Sequence, residues 1–450
     1  MPDSQDKSRE NNSTPAEPTA TTAIRREVQT SGEVLADGTL IELIRGDTET
    51  QLKLLTWSGG KGKVASFAQY KGRVYAPVFL EPTILRALQL PSQSAPYGTT
   101  RNLFDDVTKP VSHYTALSEN FVSLLCHFGI STWFPDCTLV APCLVLVGPA
   151  ASEAARVLRL LHCVCRHALL LGDLNPAGLC SLPMYLCPTL LIAQPELSAP
   201  TLRLLQTSNI RNLYVPRRGQ LLDLFCPQAI HSMEPLGDAS LCSTAIRIPV
   251  TPTRRQLPIL DEGVLRKIAK DLQPKLLTYR LMNYARVRNS DFDVPQLTSL
   301  MRDPARSLGA SIVDDPELQA GIISLLQDQD EEIRGERWTD LYSVVSEAAL
   351  FLCHDGEKQS AYVGEVASVA NIILKRRGET VELESRAVGE KLRWLGLSTT
   401  PRDSKGYKIL LTDAVRRRIH ELTRDFEVPS VQDGVARCKH CAQINGAVGI

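Results

Sequence analysis

The stretch Leu144-Val145-Leu146-Val147-Gly148-Pro149-Ala150-Ala151-Ser152-Glu153-Ala154-Ala155 decides the fold. Cys143–Val147 is a short apolar run and reads as a buried strand. Gly148 supplies the turn out of it, and Ala154–His167 reads as a helix. Outward from this unit, apolar strands alternate with helical patterns through residues 101–285. Leu117–Trp133 has helical spacing. Ala168–Leu171, Thr189–Ile192, Leu224–Ile230 and Ala245–Val250 read as strands. That alternation implies an α/β fold, a mostly parallel sheet covered on both faces.

A phosphate-binding loop needs a strand, then G-x-x-x-x-G-K-[ST], then a helix. Strand, first glycine and helix are in place. The second glycine is replaced by Glu153, the lysine by Ala154 and the Ser/Thr by Ala155. Neither alanine can supply the cation for the β- and γ-phosphates or the hydroxyl for magnesium. Glu153 adds a negative charge where polyphosphate would sit. A helix N-terminus still attracts anions, but weakly beside these losses. Thr189–Ile192 leads into Ala193-Gln194-Pro195-Glu196, as a magnesium-binding strand would whose Asp has become Ala193 or Gln194. Glu196 is displaced from a general base's position. Cys226–Ser232 puts Ser232 at a sensor position, and Ala245–Val250 is followed by Pro252 and Arg254-Arg255.

On these residues the chain resembles degenerate P-loop ATPase-like proteins of AAA+ and helicase type. Phages and bacterial mobile elements carry such proteins, with a C-terminal winged helix. The resemblance covers residues 101–425 and includes the long helix Glu262–Tyr284, which resembles the one leaving such a core. It implies a P-loop NTPase-like parallel sheet core and an inactive nucleotide site at Gly148, Glu153, Ala154, Ala155, Gln194 and Glu196. It also implies a role in DNA replication, maintenance or control of a mobile element. The alternative is an active helicase-like ATPase with an atypical site, in which ATP and magnesium would be cofactors.

The organisation expected is a disordered tail over 1–30, a small β-rich module over 31–98, the core over 99–295, and a helical connector over 296–338. A winged-helix domain over 339–426 and a flexible tail with a CxxC over 427–450 complete it. The tail at 1–30 is too polar to offset its ordering entropy. The β-rich module follows from short apolar runs separated by turns at Gly46, Gly59-Gly60 and Gly72.

In the C-terminal unit, Leu341, Val344, Val345, Ala348 and Leu352 mark one helix face, and Val363, Val366, Ala367, Ala370, Ile373 and Leu374 a second. Ser385 is the expected N-cap of a third helix carrying Val388, Leu392 and Leu395, ended by Gly396. Leu397–Thr400, a polar turn and a strand Tyr407–Leu411 make the expected ribbon, and a last helix starts near Asp413. Three helices and a ribbon form a winged-helix pattern. Its third helix and wing are locally basic, so DNA is the expected partner. Arg386, Lys391 and Arg393 are expected to face the groove, and Arg402, Lys405 and Lys408 the backbone. Trp394 is expected in the core. The bland alternative is a solvated basic face on a protein-interaction scaffold without DNA contact.

The 450 residues are 43% hydrophobic and 22% charged with a net charge of zero, so no global field draws the chain to nucleic acid or membrane. No stretch suits a secretion signal or a bilayer span, so a cytoplasmic location is expected and no membrane partner. The 12 cysteines lie mostly in apolar segments and are expected reduced. Cys163 and Cys165, between His162 and His167, read as core. Cys438 and Cys441 form a single CxxC, two ligands short of a zinc site. The missing pair would come from a second chain, or from Cys353 or His354. Arg211, Arg217 and Arg218 suit either a homo-oligomer interface or plain surface.

Overall fold

A computed structural model describes residues 27–48, 50–233, 245–354, 358–426, 428, 438, 440 and 441. Seven strands come first: β1 (Glu27–Thr30), β2 (Gly32–Val34), β3 (Leu40–Arg45), β4 (Leu52–Ser58), β5 (Lys61–Ala65), β6 (Ala68–Tyr70) and β7 (Arg73–Pro77). The helix α1 (Pro82–Ala87) follows. β2-β3-β4-β5 form an antiparallel meander, and β1 pairs in parallel with β7 beside β6. β1 corrects the expectation of disorder as far as Thr30, because Val28 and Thr30 find partners on Tyr75 and Pro77. The rest of that tail lies outside the described residues.

Leu40–Ile44 of β3 is buried throughout. Leu40 and Ile44 join the hydrophobic cluster of Leu144 and Leu146, while Ile41 and Leu43 join that of Cys143 and Val145. Side chains alternate across a strand, so both faces of β3 are covered by the rest of the protein.

The next segment contains α2 (Thr100–Tyr114), α3 (Glu119–Ser131), β8 (Cys143–Val147), α4 (Ala154–Val164), β9 (Leu169–Leu171), α5 (Pro176–Leu179) and β10 (Leu190–Ile192). It continues through α6 (Ala199–Thr207), β11 (Tyr214–Arg217), β12 (Gln220–Asp223), β13 (Gln228–Ser232), β14 (Ile246–Pro249) and α7 (Glu262–Arg288). The main sheet has the order β14-β8-β13-β10-β9 and is parallel throughout. β8 is thus an interior strand with Gly148 at its carboxyl end. β13 starts later than expected, after Pro227, which has no N–H for the ladder. β11 and β12 pair as an antiparallel hairpin that the sequence pattern does not announce. Its turn, Arg218-Gly219, has φ of 48° and 79° at the two residues, the left-handed pair a two-residue hairpin needs.

α8 (Ser299–Ala310) and α9 (Pro316–Thr339) follow. Gln329 of α9 accepts from the Arg247 N–H and donates to the Ala245 carbonyl, covering the exposed edge of β14. Buried Asp330 accepts from the Thr298 N–H and hydroxyl at the start of α8.

The last unit holds α10 (Leu341–His354), β15 (Ser360–Tyr362), α11 (Val363–Arg376), α12 (Ser385–Trp394), β16 (Lys408–Leu410) and α13 (Asp413–Asp425), around its own hydrophobic cluster. The ribbon partner of β16 is β15, not Leu397–Thr400. Thr400 contributes only its N–H and hydroxyl to the Lys408 carbonyl. The α12 N-cap is Glu384 rather than Ser385, and Gly396 ends the helix at φ 77°. Among the described residues, no helix is long and apolar enough to cross a membrane.

Candidate functional site

The Gly148 loop is closed by its neighbours. The Gly148 N–H donates to the Ser232 carbonyl (2.9 Å), and the His231 ring N–H donates to the Gly148 carbonyl (2.9 Å). A Cβ on Gly148 would stand 1.8 Å from the Val250 carbonyl oxygen. Glycine is therefore required here by the close approach of two backbones. Glu153 does not project into the loop. It is buried, and its Oε2 accepts from the Ala116 N–H at 2.9 Å. Ala154, at the lysine position, is fully buried in the core, where an ammonium would be desolvated without a partner. Ala155 is exposed. Beside the loop lies a cleft of ≈ 450 Å³ lined by Arg156, Arg159 and Arg255 as well as Glu153. Arg156 is already engaged by the Pro258 carbonyl at 2.9 Å.

Gln194 lies just past β10, separated from β8 by β13. Its Oε1 accepts from the Leu174 N–H at 2.7 Å, a structural task. Glu196 is exposed. β13 thus lies between the strand before Gln194 and Glu196 and the strand that ends at Gly148, and the Gly148 N–H and carbonyl both bond within the protein.

The basic residues of the C-terminal unit divide into two sets. Arg386, Arg393, Arg402 and Lys405 line one cleft of ≈ 590 Å³ between α12 and the turn before β16. Residues 386 and 393 lie seven apart, two helical turns, and so share a face of α12. Glu390 lines the same cleft and sits 3.5 Å from Arg386. Lys391 lies elsewhere, over the Tyr342 ring at 4.4 Å. Lys408 pairs with Asp403 at 3.1 Å and faces the Tyr362 ring. Trp394 corrects the expectation of a core residue: it is 82% exposed, off the stripe formed by Val388, Leu392 and Leu395.

The thiols of Cys163 and Cys165 are buried on or beside α4. Burial pushes the Cys163 thiol up to about 12, so it stays protonated. Arg211 donates to the Thr138 carbonyl and stacks on Phe225, and Arg217 donates to the Pro176 carbonyl, so both act within the chain. Arg218 occupies the β11–β12 turn. Cys438 and Cys441 meet His354 and His420, a convergence with only His354 among the expected partners. His420 was missed because its apparent place, one of a run of α13 residues, gives no sign of which face meets α10.

No family model matches the chain, and no curated protein matches it. Among solved structures the chain is similar to the NrS-1 C-terminal region in its A-form apo structure. Identity is 12%, over 83% of this chain and 97% of that one, with a TM-score of 0.34. It is also similar to Drosophila ORC bound to DNA, at 12% identity over 78% and 96% of the two chains and a TM-score of 0.20. Cdc6p from Pyrobaculum aerophilum is similar at 11% identity over 71% and 98%, with a TM-score of 0.18.

Proposed function

We propose that this protein is a non-catalytic, ATPase-like scaffold whose C-terminal unit is a DNA-binding winged helix, acting in DNA replication, maintenance or control of a mobile element. In this reading the α/β core is an assembly surface, with homo-oligomers among its products, in the cytoplasm. The carrying observation is the α12 cleft: four cations from two separate segments, Arg386 and Arg393 on the helix and Arg402 and Lys405 on the turn, face one space. A helix face enters the major groove, and the turn's cations meet phosphates. The closed Gly148 turn supports the non-catalytic half, because the Gly148 N–H and carbonyl and the glycine itself already serve the fold.

Duplex affinity of the full chain, measured by fluorescence anisotropy over a salt series, tests this. The two phosphate contacts of Arg402 and Lys405 give a log–log salt slope of roughly −2. Arg402→Glu with Lys405→Glu is expected to weaken binding to all sequences and to flatten that slope by about 2. An unchanged affinity and slope would leave the second reading, a protein-docking scaffold without DNA contact. The observation favouring that reading is Trp394, a large exposed aromatic of the kind that anchors protein interfaces.

A further inference from the structure

We infer that His354, His420, Cys438 and Cys441 form a structural zinc site that clips the C-terminal CxxC onto α10 and α13. Their ligand atoms all lie within 4.8 Å of one another. His354 Nε2 is 3.1 Å from His420 Nε2 and 3.2 Å from Cys441 Sγ, and Cys438 Sγ is 3.3 Å from His420 Nε2. A regular zinc tetrahedron with Zn–N of ~2.0 Å and Zn–S of ~2.3 Å has edges of roughly 3.3 Å between nitrogens and 3.5 Å between nitrogen and sulfur. The three observed edges come within a few tenths of an ångström of those values. Two imidazoles and two thiols around one point is the donor set for zinc rather than for magnesium or calcium.

The surroundings fit a metal as well as the four atoms do. His420 Nδ1–H donates to the Arg416 carbonyl at 2.7 Å, which fixes the tautomer and leaves the Nε2 lone pair directed at Cys438 and His354. Zinc with two thiolates and two neutral imidazoles has no net charge, so a partly buried site tolerates it. Cys353, the nearby alternative, is outside the group; its sulfur faces the Arg416 guanidinium.

The four ligands come from three places in the chain. His354 ends α10, His420 lies within α13, and the CxxC follows both. β15, one strand of the ribbon, begins six residues after His354 in the sequence. Zinc therefore ties Cys438 and Cys441 to the two helices that carry His354 and His420. This inference stands independently of whether the unit binds DNA.

The test is metal content of the full chain, expressed with zinc supplied and then dialysed, measured by elemental mass spectrometry. One zinc per chain is expected. On exchange for cobalt(II), tetrahedral ligand-field bands and a thiolate-to-cobalt charge-transfer band are expected. Cys441→Ser and His420→Gln are expected to lose stoichiometric metal, whereas Cys353→Ser keeps it. Folded wild-type protein that carries essentially no zinc and develops no thiolate-to-cobalt band on cobalt titration would overturn the site. So would full metal retention in a Cys438→Ser, Cys441→Ser double variant. The wild-type readings decide the matter even if a ligand variant fails to fold.

Discussion

Glu42 on β3 and Arg280 on α7, 238 residues apart, meet at 2.6 Å in the protein interior. Arg166, just past α4, holds the other oxygen of Glu42 at 2.9 Å, and Arg280 also clasps both oxygens of Asp136 at 2.8 Å. Four parts of the chain are joined by this group: the N-terminal meander, the segment between α3 and β8, the turn after α4 and the long helix α7. Removing one partner from such a buried group strands the others. Arg280→Met is expected to destabilise by about 3–5 kcal/mol, read as a lower denaturation midpoint with little change in slope. A loss near zero would mean that the cluster is solvated in solution.

The same group sets a pH dependence. Burial alone would raise the Glu42 carboxyl, but Arg166 and Arg280 outweigh it and hold it below the usual carboxylate range. Asp136 is likewise lowered, burial being outweighed by Arg280. A carboxylate lowered on folding contributes stability above its unfolded value, near ~4. That contribution is lost as pH falls through the folded value. The stability of the wild type is therefore expected to drop as pH falls below about 4. Glu42→Gln should be less stable at neutral pH and show a shallower acid limb. Parallel acid limbs in urea titrations of the two proteins would contradict this.

The main sheet was legible because Leu144–Val147 is a nearly pure apolar run before a glycine, and such runs are strands buried on both faces. Gly148 was legible as a required glycine, but not the reason for it. Its neighbour Val250 is about a hundred residues away in sequence, and no local pattern records that approach. Glu42 shows a signal that went unread: a charge inside the apolar run Leu40–Ile44 demands a buried partner. In the α12 cleft the bases were visible, but not their division. Lys391 and Arg393 are two apart on a helix and so point different ways.

Gly148→Ala tests the close approach directly. Its Cβ would overlap the Val250 carbonyl, so about 1–3 kcal/mol of stability is expected to be lost through backbone displacement. Thermal unfolding measures it. Unchanged stability would show that β8 and the chain after β14 are further apart than described.

Trp394→Ala separates surface contact from core. At 82% exposure the substitution is expected to change stability by no more than about 0.5 kcal/mol. A large drop in denaturation midpoint would return Trp394 to the interior.

The central claim is that the chain works through its C-terminal contact with DNA and not through nucleotide turnover. It is tested most directly by duplex affinity of the full chain with and without magnesium-ATP, with phosphate release followed in the same samples. The predicted result is salt-sensitive DNA binding of equal strength in both conditions and no phosphate release above buffer. DNA affinity that depends on magnesium-ATP, or sustained phosphate release, would contradict it.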